Sequence, residues 1–326
     1  MRILVCNDDG IEAPGIRAIA QILTTVGEVT VVAPDGQRSA SSHGMSLHGT
    51  IWVEPRELGL SGIKSAYAVH GTPVDCVKWA LSRLAQNTPF DLVVSGINQG
   101  PNLATDVLYS GTVAAAGEAA VQGVPAIAFS LQGPPFPFSE AAQKALQLIQ
   151  HLEDFPWPAD TFLSVNFPAD VHMETNVAVT QLGVRGFRDA FVEVDKSGTR
   201  VGYRYSGEEL EEPGGQETDV AAVRRGHISI TPLRYHFTNH EIVDSLKLYL
   251  RQPKDTPAVE TQAPIGATAA KAHERVIIGT HTCTRTDDLY QLVDFLNRNL
   301  KEKDVIFGLS LDKQNSNKMI LTMYRA

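Results

Sequence analysis

The sequence predicts an α/β chain built on a doubly wound parallel sheet, with an antiparallel hairpin extension and a small C-terminal βαββ module. Three observations lead there. The first half alternates short apolar runs with amphipathic helical stretches, the pattern of parallel strands joined by crossover helices. The opening MRILVCNDDG sets Ile3, Leu4, Val5 and Cys6 in one unbroken apolar run before Gly10, as a strand covered on both faces requires. From Phe162 onward, strands are separated by long turns rich in Gly, Pro and charge, which fits antiparallel hairpins better than further crossover units.

Taken in order, strands are expected over 2–6, 29–33, 92–95 and 126–130, and helices over 16–25, 73–85, 112–122 and 141–152. The helix from residue 73 has the clearest start, because Thr72 offers a capping hydroxyl and Pro73 the fixed φ of a first helical residue. Beyond 162, FLSVNFP, VAVTQLG, FVEVDK, RVGYRYS and GHISITPL read as strands. Hairpins of this kind have little core of their own, which suits arms reaching a second subunit. A stretch over 251–272, rich in Pro, Ala, Thr and Gln, reads as a flexible linker between a main domain over 1–250 and a module over 273–326. In the module, ERVIIGTHTC reads as a strand and DVIFGLSLD with KMILTMYRA as a hairpin. Between them, 287–300 reads as a helix with Leu289, Leu292, Val293, Phe295 and Leu296 on or near its apolar face, and Asp287 and Asp288 in its first turn.

Composition narrows the function. With 326 residues, 43% of them hydrophobic, the chain exceeds the usual single-domain size. A formal net charge of −9 argues against a general nucleic-acid binder, which needs a basic surface. Cys6, Cys76 and Cys283 are widely separated and show no paired spacing, which points to a reducing compartment with no disulfide framework and no zinc motif. Asn7 interrupts the N-terminus before any secretory apolar segment forms, and the other apolar stretches are only strand-length. A cytoplasmic protein with no nucleic-acid or membrane partner is expected.

Four loops carry the chemistry, each following an expected strand and all meeting at one sheet edge, where open α/β sheets place their sites. Asp8 and Asp9 are adjacent carboxylates on the first turn; they repel each other and need a cation, a shared proton or ample water. A hard divalent metal is one answer; the other is that one Asp caps the following helix while its neighbour stays solvated. The second loop crowds Ser39, Ser41, Ser42 and His43, which also fits an ordinary Ser-rich surface loop. The third places Asn98 and Asn102 around Gly100 and Pro101. In the fourth, Ser110, Gly111 and Thr112 open a helix whose free N–H groups suit a phosphate, or Ser110 or Thr112 is simply its cap. No Walker loop and no dinucleotide fingerprint is found. Asp8, Asp9, Ser39 and Asn98 offer only oxygen donors, which suits Mg²⁺, Mn²⁺ or Ca²⁺ and disfavours zinc. His43 is placed to donate to a phosphate or to serve as general acid, or is plainly structural. His70 and Cys76 read as loop and packing residues, and His236 and His240 as a solvated or capping pair.

In this order the segments NDDG, APDGQRSASSHG, HGTPVDCVKWAL, SGINQGPN, YSGTVAAAGEA and GHISITPL resemble the SurE family of metal-dependent nucleotidases, over roughly the first 250 residues. The resemblance implies a Rossmann-like domain that hydrolyses nucleoside 5′- and 3′-monophosphates, and in some members short polyphosphate. It implies one divalent metal per subunit, Mg²⁺ or Mn²⁺ first and Ca²⁺ as a further candidate, on Asp8, Asp9, Ser39 and Asn98. Asp8 and Asp9 then stand as the catalytic pair, and Asn7, His43, Asn102, Ser110, Gly111 and Thr112 as the substrate-binding set. A homodimer or homotetramer with exchanged C-terminal elements is implied as well. The last fifty or so residues are similar to the short YpmA-like proteins, as a fused regulatory or docking module. The competing function is a nucleotide-sensing binding protein whose tail contacts a partner.

Overall fold

In the computed structural model, residues 1–184, 187–188, 190–209, 217–251, 277–284, 293, 296, 305–311 and 318–325 are described. The first of two compact units, Met1–Val243, begins with β1 (Arg2–Cys6), α1 (Pro14–Leu23), β2 (Glu28–Pro34), β3 (Val53–Pro55), β4 (Ile63–Val69) and α2 (Pro73–Arg83). It continues with β5 (Leu92–Gln99), a 3₁₀ turn (Ala104–Leu108), α3 (Gly111–Val121), β6 (Ala126–Leu131), α4 (Phe138–His151) and β7 (Phe162–Phe167). Then come β8 (Val177–Val179), β9 (Phe187–Arg188), β10 (Phe191–Ser197), β11 (Arg200–Tyr205), β12 (Glu208–Glu209), α5 (Asp219–Arg224) and β13 (Ile228–Leu233). α6 (His240–Arg251) begins in the first unit, and the second, Asp244–Ala326, holds β14 (Ile277–Thr284), β15 (Val305–Leu311) and β16 (Lys318–Arg325).

The unbroken apolar run of β1 follows from its two neighbouring layers. Ile3 and Val5 join one core with Ile16, Ile19 and Leu23 of α1 and Ala141, Ala145 and Ile149 of α4. Leu4 and Cys6 point the other way, into a core shared with Cys76, Val77 and Ala80 of α2 and Val113, Ala116 and Ala120 of α3. The main sheet has the order β3-β4-β2-β1-β5-β6-β7-β13-β8. Its strands from β4 through β7 are parallel, while β3 and β13 run antiparallel to β4 and β7 and β8 runs parallel to β13. This is the doubly wound sheet the sequence predicts.

The two helices on the second face start for different reasons. At α2 the Thr72 hydroxyl accepts from Asp75 N at 3.1 Å and the Asp75 carboxylate accepts from Thr72 N at 2.9 Å, a reciprocal cap. α3 is Gly or Ala at seven of its ten buried positions from Gly111 to Ala120, so it can lie close against the sheet.

Several expectations are corrected. β3 and β4 add two strands between β2 and α2 to those the sequence predicts. β7 belongs to the parallel sheet, beside β6, instead of opening the antiparallel extension. β5 runs past Ser95 to Gln99, through an irregularity between Ser95 and Asn98 that carries Asn98 alongside Ser130 of β6. The hairpin of β10 and β11 is antiparallel, with Phe191, Val192, Val194, Tyr203 and Tyr205 exposed. In the second unit β14, β16 and β15 form an antiparallel sheet in that order. Of the expected helix over 287–300 only Val293 and Leu296 are among the described residues, and the expected linker lies outside them beyond Arg251. No described helix is long and apolar enough to cross a membrane.

Candidate active site

The order of strands reverses at β1: the chain moves outward through β2 to β4, then crosses back to place β5 on the other side of β1. A crevice at the carboxyl ends of β1 and β5 is the expected ligand position in such a sheet. Asp8 and Asp9 follow β1, Asn98 sits at the end of β5, the Ser39–His43 loop follows β2, and α3 opens at the same edge.

Hydrogen bonds gather these loops. Asn7 is fully buried, its Nδ2 donating to Gly10 O at 2.9 Å and its Oδ1 accepting from Gly10 N at 3.2 Å. Gly10 has φ +102°, and a Cβ there would meet the Gly36 backbone at 3.0 Å, so the turn depends on glycine. Asn7 is thus a lock for the acidic turn, with both polar side-chain atoms engaged by it. Asp8 O accepts from Arg38 N at 2.7 Å, which ties the Ser39 loop to the turn. Asp9 Oδ2 accepts from Gln99 N at 3.1 Å, which ties it to β5. Thr112 donates its hydroxyl to Asp8 Oδ1, so α3 is docked on the same carboxylate. That bond commits the Thr112 hydroxyl proton to Asp8.

The approach of α3 requires Gly111. A Cβ there would lie 2.6 Å from Ser41 Oγ, 2.8 Å from Asp8 Cβ and 3.0 Å from Asp8 Oδ2. Ser110 Oγ accepts from Val113 N at 3.1 Å and caps the helix, which leaves the hydroxyl proton available to an incoming acceptor.

Burial pushes the Asp8 carboxyl up, more than its Thr112 hydrogen bond pulls it down, and the Asp9 charge adds to the rise. Burial likewise raises Asp9 against the opposing Gln99 N–H. Two adjacent carboxyls that the protein itself makes reluctant to ionise suit a cation. Ser41 Oγ, beside Asp8, is buried with no hydrogen-bond partner. Among the described residues no group of three or more His, Cys, Asp or Glu could hold a metal, so any ion here needs neutral oxygens besides the two carboxylates. Ser39 is exposed on the adjoining loop, and Asn98 donates Nδ2 to Gly100 O at 2.8 Å, so its amide oxygen is the end that could serve an ion. The donor chemistry fits a hard divalent ion.

Other expected residues lie elsewhere in the network. His43 Nε2 pairs with Glu118 Oε2 at 2.8 Å, and Glu118 also accepts from Lys78 Nζ at 2.8 Å and Gln122 Nε2 at 2.7 Å. Burial pushes the Glu118 carboxyl up, but these three donors outweigh it and hold it at about 2. Glu118 lies about two turns along α3 from Gly111. His43 is therefore bound to that helix, with Tyr235 edge-on to its ring at 4.8 Å. Asn102 Nδ2 donates to Ser130 Oγ at 2.8 Å, and Asn102 and Asn166 bond reciprocally through Asn102 N at 2.7 Å and Asn102 O at 3.1 Å. This clasp binds the loop after β5 to β6 and β7. His70 lies between Asp35 at 2.9 Å and Glu54 at 3.3 Å, and Cys76 is a buried thiol whose pKa burial raises. His236 pairs with Asp160 at 3.4 Å and not with His240.

Sequence reasoning missed Glu118, Asn166 and Asp219. Each had a signal: a single charge in an Ala-rich helix, an Asn inside FLSVNFP, and an acid after the capping Thr218.

A family model described as Survival protein SurE matches residues 3–189, and one described as a protein of unknown function, DUF4264, matches 276–326. The chain is 44% identical over 258 residues to the 5′-nucleotidase SurE of Carboxydothermus hydrogenoformans, covering 77% of this chain and 97% of that one. It is 41% identical to the protein of the same name from Heliobacterium modesticaldum, covering 77% and 92%. The crystal structure of the SurE protein from Aquifex aeolicus superposes with a TM-score of 0.68 at 34% identity, covering 77% of this chain and all of that one. Over its sheet and the loops gathered at the carboxyl end of β1, this chain belongs to the SurE family.

Proposed function

We propose that this chain is a metal-dependent phosphomonoesterase that hydrolyses nucleoside 5′-monophosphates to nucleoside and phosphate. The observation that carries the reading is the Asp8–Asp9 pair at the strand-order reversal, with Asp8 buried against the glycine-opened N-terminus of α3 and Asp9 half-buried beside it. The names of the relatives in Carboxydothermus and Heliobacterium support the substrate class. Asp8, Asp9, Ser39 and Asn98 would hold one ion per subunit, Mg²⁺ or Mn²⁺ before Ca²⁺. When bound, such an ion polarises a phosphoryl oxygen and lowers the pKa of a water at neutral pH.

The chain's own groups do the rest. The Gly111 N–H, the Ser110 hydroxyl and the positive end of α3 bind phosphate oxygens. Thr112 fixes the Asp8 carboxylate, and Gln99 N fixes that of Asp9, so neither must reorganise as charge builds on the phosphoryl group. Asn7 keeps both acids on one turn. Nucleoside 3′-monophosphates and short polyphosphate extend the same chemistry. The C-terminal module is YpmA-like and regulatory, the exposed hairpin of β10 and β11 joins subunits in a homodimer or homotetramer, and the protein works in the cytoplasm.

The test is phosphate release from a panel of nucleoside monophosphates and tripolyphosphate, in EDTA and then with Mg²⁺ or Mn²⁺, with Asp8→Asn as the disabled control. Release from 5′-monophosphates that needs added metal and falls at least about a hundredfold in the variant is expected. Release untouched by EDTA would overturn the metal site; no release under any metal would favour a nucleotide sensor.

A further inference from the structure

We propose that Asp219 is a positioning residue for this site, joining the approach to the hairpin arm to the 3₁₀ turn that precedes α3. The proposal rests on the phosphatase reading. Asp219 is 1% exposed, at the start of α5 and far in sequence from every candidate ligand. Its Oδ2 accepts from Ala104 N at 2.9 Å, while Oδ1 accepts from Gly183 N at 2.7 Å and Val220 N at 2.9 Å. Gly183 lies just before β9, and Ala104 opens the turn over 104–108. One buried carboxylate therefore holds both.

The turn is the kind of segment that needs such a hold. Ala104 is buried with φ +50°, a left-handed conformation unfavourable for a residue with a Cβ. From there the bonds lead to the site in two directions. Asp106 O accepts from Ser110 N at 3.0 Å, which sets the cap of α3 and with it the phosphate-binding N–H of Gly111. Leu108 O accepts from Ser42 Oγ at 2.6 Å and Tyr109 O from Ser42 N at 2.9 Å. Ser42 and Ala40 are themselves left-handed, at φ +52° and +54°, and they flank Ser41 in the loop that begins at Ser39. The relay thus runs from Asp219 through Ala104 and its turn to both the phosphate-binding helix start and the Ser39 loop.

Asp219→Asn separates the two halves of this hold. With its remaining oxygen on Gly183 and Val220 it keeps those bonds, but its NH₂ then faces the Ala104 N–H, donor against donor. The expected result is a KM for nucleoside monophosphate raised about tenfold with kcat changed less than threefold. Amide hydrogen exchange should accelerate across 40–44 and 104–110 and stay unchanged in β1 and α2. Ser42→Ala removes the hydroxyl's bond to Leu108 O, one of the two that tie the Ser39 loop to the turn, without touching the core and should raise KM in the same direction. Thr218→Ala, which removes the Thr218 hydroxyl's bond from Ala221 N at 3.3 Å, weakens the start of α5 but leaves the Ala104 link and should leave KM unchanged. Faster exchange with unchanged KM in Asp219→Asn and Ser42→Ala would reduce Asp219 to a fold residue and overturn the proposal. Unchanged exchange in Asp219→Asn would overturn the hold itself. An inactive wild-type chain would instead overturn the phosphatase reading, and the exchange data would still decide whether Asp219 fixes the turn.

Discussion

Glu118 shows how a residue about two helical turns from Gly111 ties the stability of the fold to pH. Its carboxyl is held at about 2, against an ordinary value of 4.5, because the donors His43, Lys78 and Gln122 overcome its burial. A carboxyl depressed on folding stabilises the native state above its ordinary value, and that contribution is lost as the pH falls from about 4.5 toward about 2. Melting temperature should therefore drop through this window in the wild type and more gently in Glu118→Gln, by calorimetry at matched ionic strength. Parallel slopes would remove Glu118 from the acid sensitivity. At this scale the sequence announced chemistry but not custody. Asp8 and Asp9 stand out because two acids in one turn are unusual, whereas only coordinates show that the Asn7 side chain also binds Gly10 and that Asn102 Nδ2 also donates to Ser130 Oγ.

Among the elements, α3 decides whether the site exists. Its first residue must carry no side chain, because Ser41 Oγ and Asp8 Cβ already occupy the place of a Cβ at 2.6 and 2.8 Å. Gly111→Ala should push the helix start off Asp8 and lower kcat/KM by about a hundredfold, the size expected of a displacement near 1 Å. Far-ultraviolet circular dichroism should stay native; retained activity would mean that the helix start is free to shift without harm. The helices were legible because caps, prolines and apolar spacing are local signals. Strand direction was not. Periodicity marks 162–167 as a strand, but its parallel pairing follows from the crossover made by α4, which returns the chain to the same end of the sheet. β4 escaped notice because IKSAYAV mixes half-covered and buried positions near the sheet edge and shows no continuous apolar run.

The whole molecule shows a large core beside a hairpin that has none. Phe191 and Tyr205 pack edge to face at 5.7 Å, yet are 68% and 53% exposed, and apolar surface of this kind marks an interaction site. Light scattering of the full chain should give a mass at or above twice 35.4 kDa, and Phe191→Ser with Tyr205→Ser should move it toward the monomer. A monomeric wild type would leave the arms without their expected partner. The sequence marks the strands of this hairpin by the Gly, Pro and charged loops between them but gives no address for their far side, because an interface is a property of two surfaces. The sheet has one more consequence, in time. Among the described residues its last strand in the chain, β13, ends at Leu233, and β14, β15 and β16 form a sheet of their own. Translation proceeds at roughly 5–20 residues per second, so the stretch from Asp244 to Ala326 takes on the order of ten seconds to make. Throughout that interval the nascent chain already holds every described strand of the sheet and every residue of the candidate site, so the first unit can fold before the second is made.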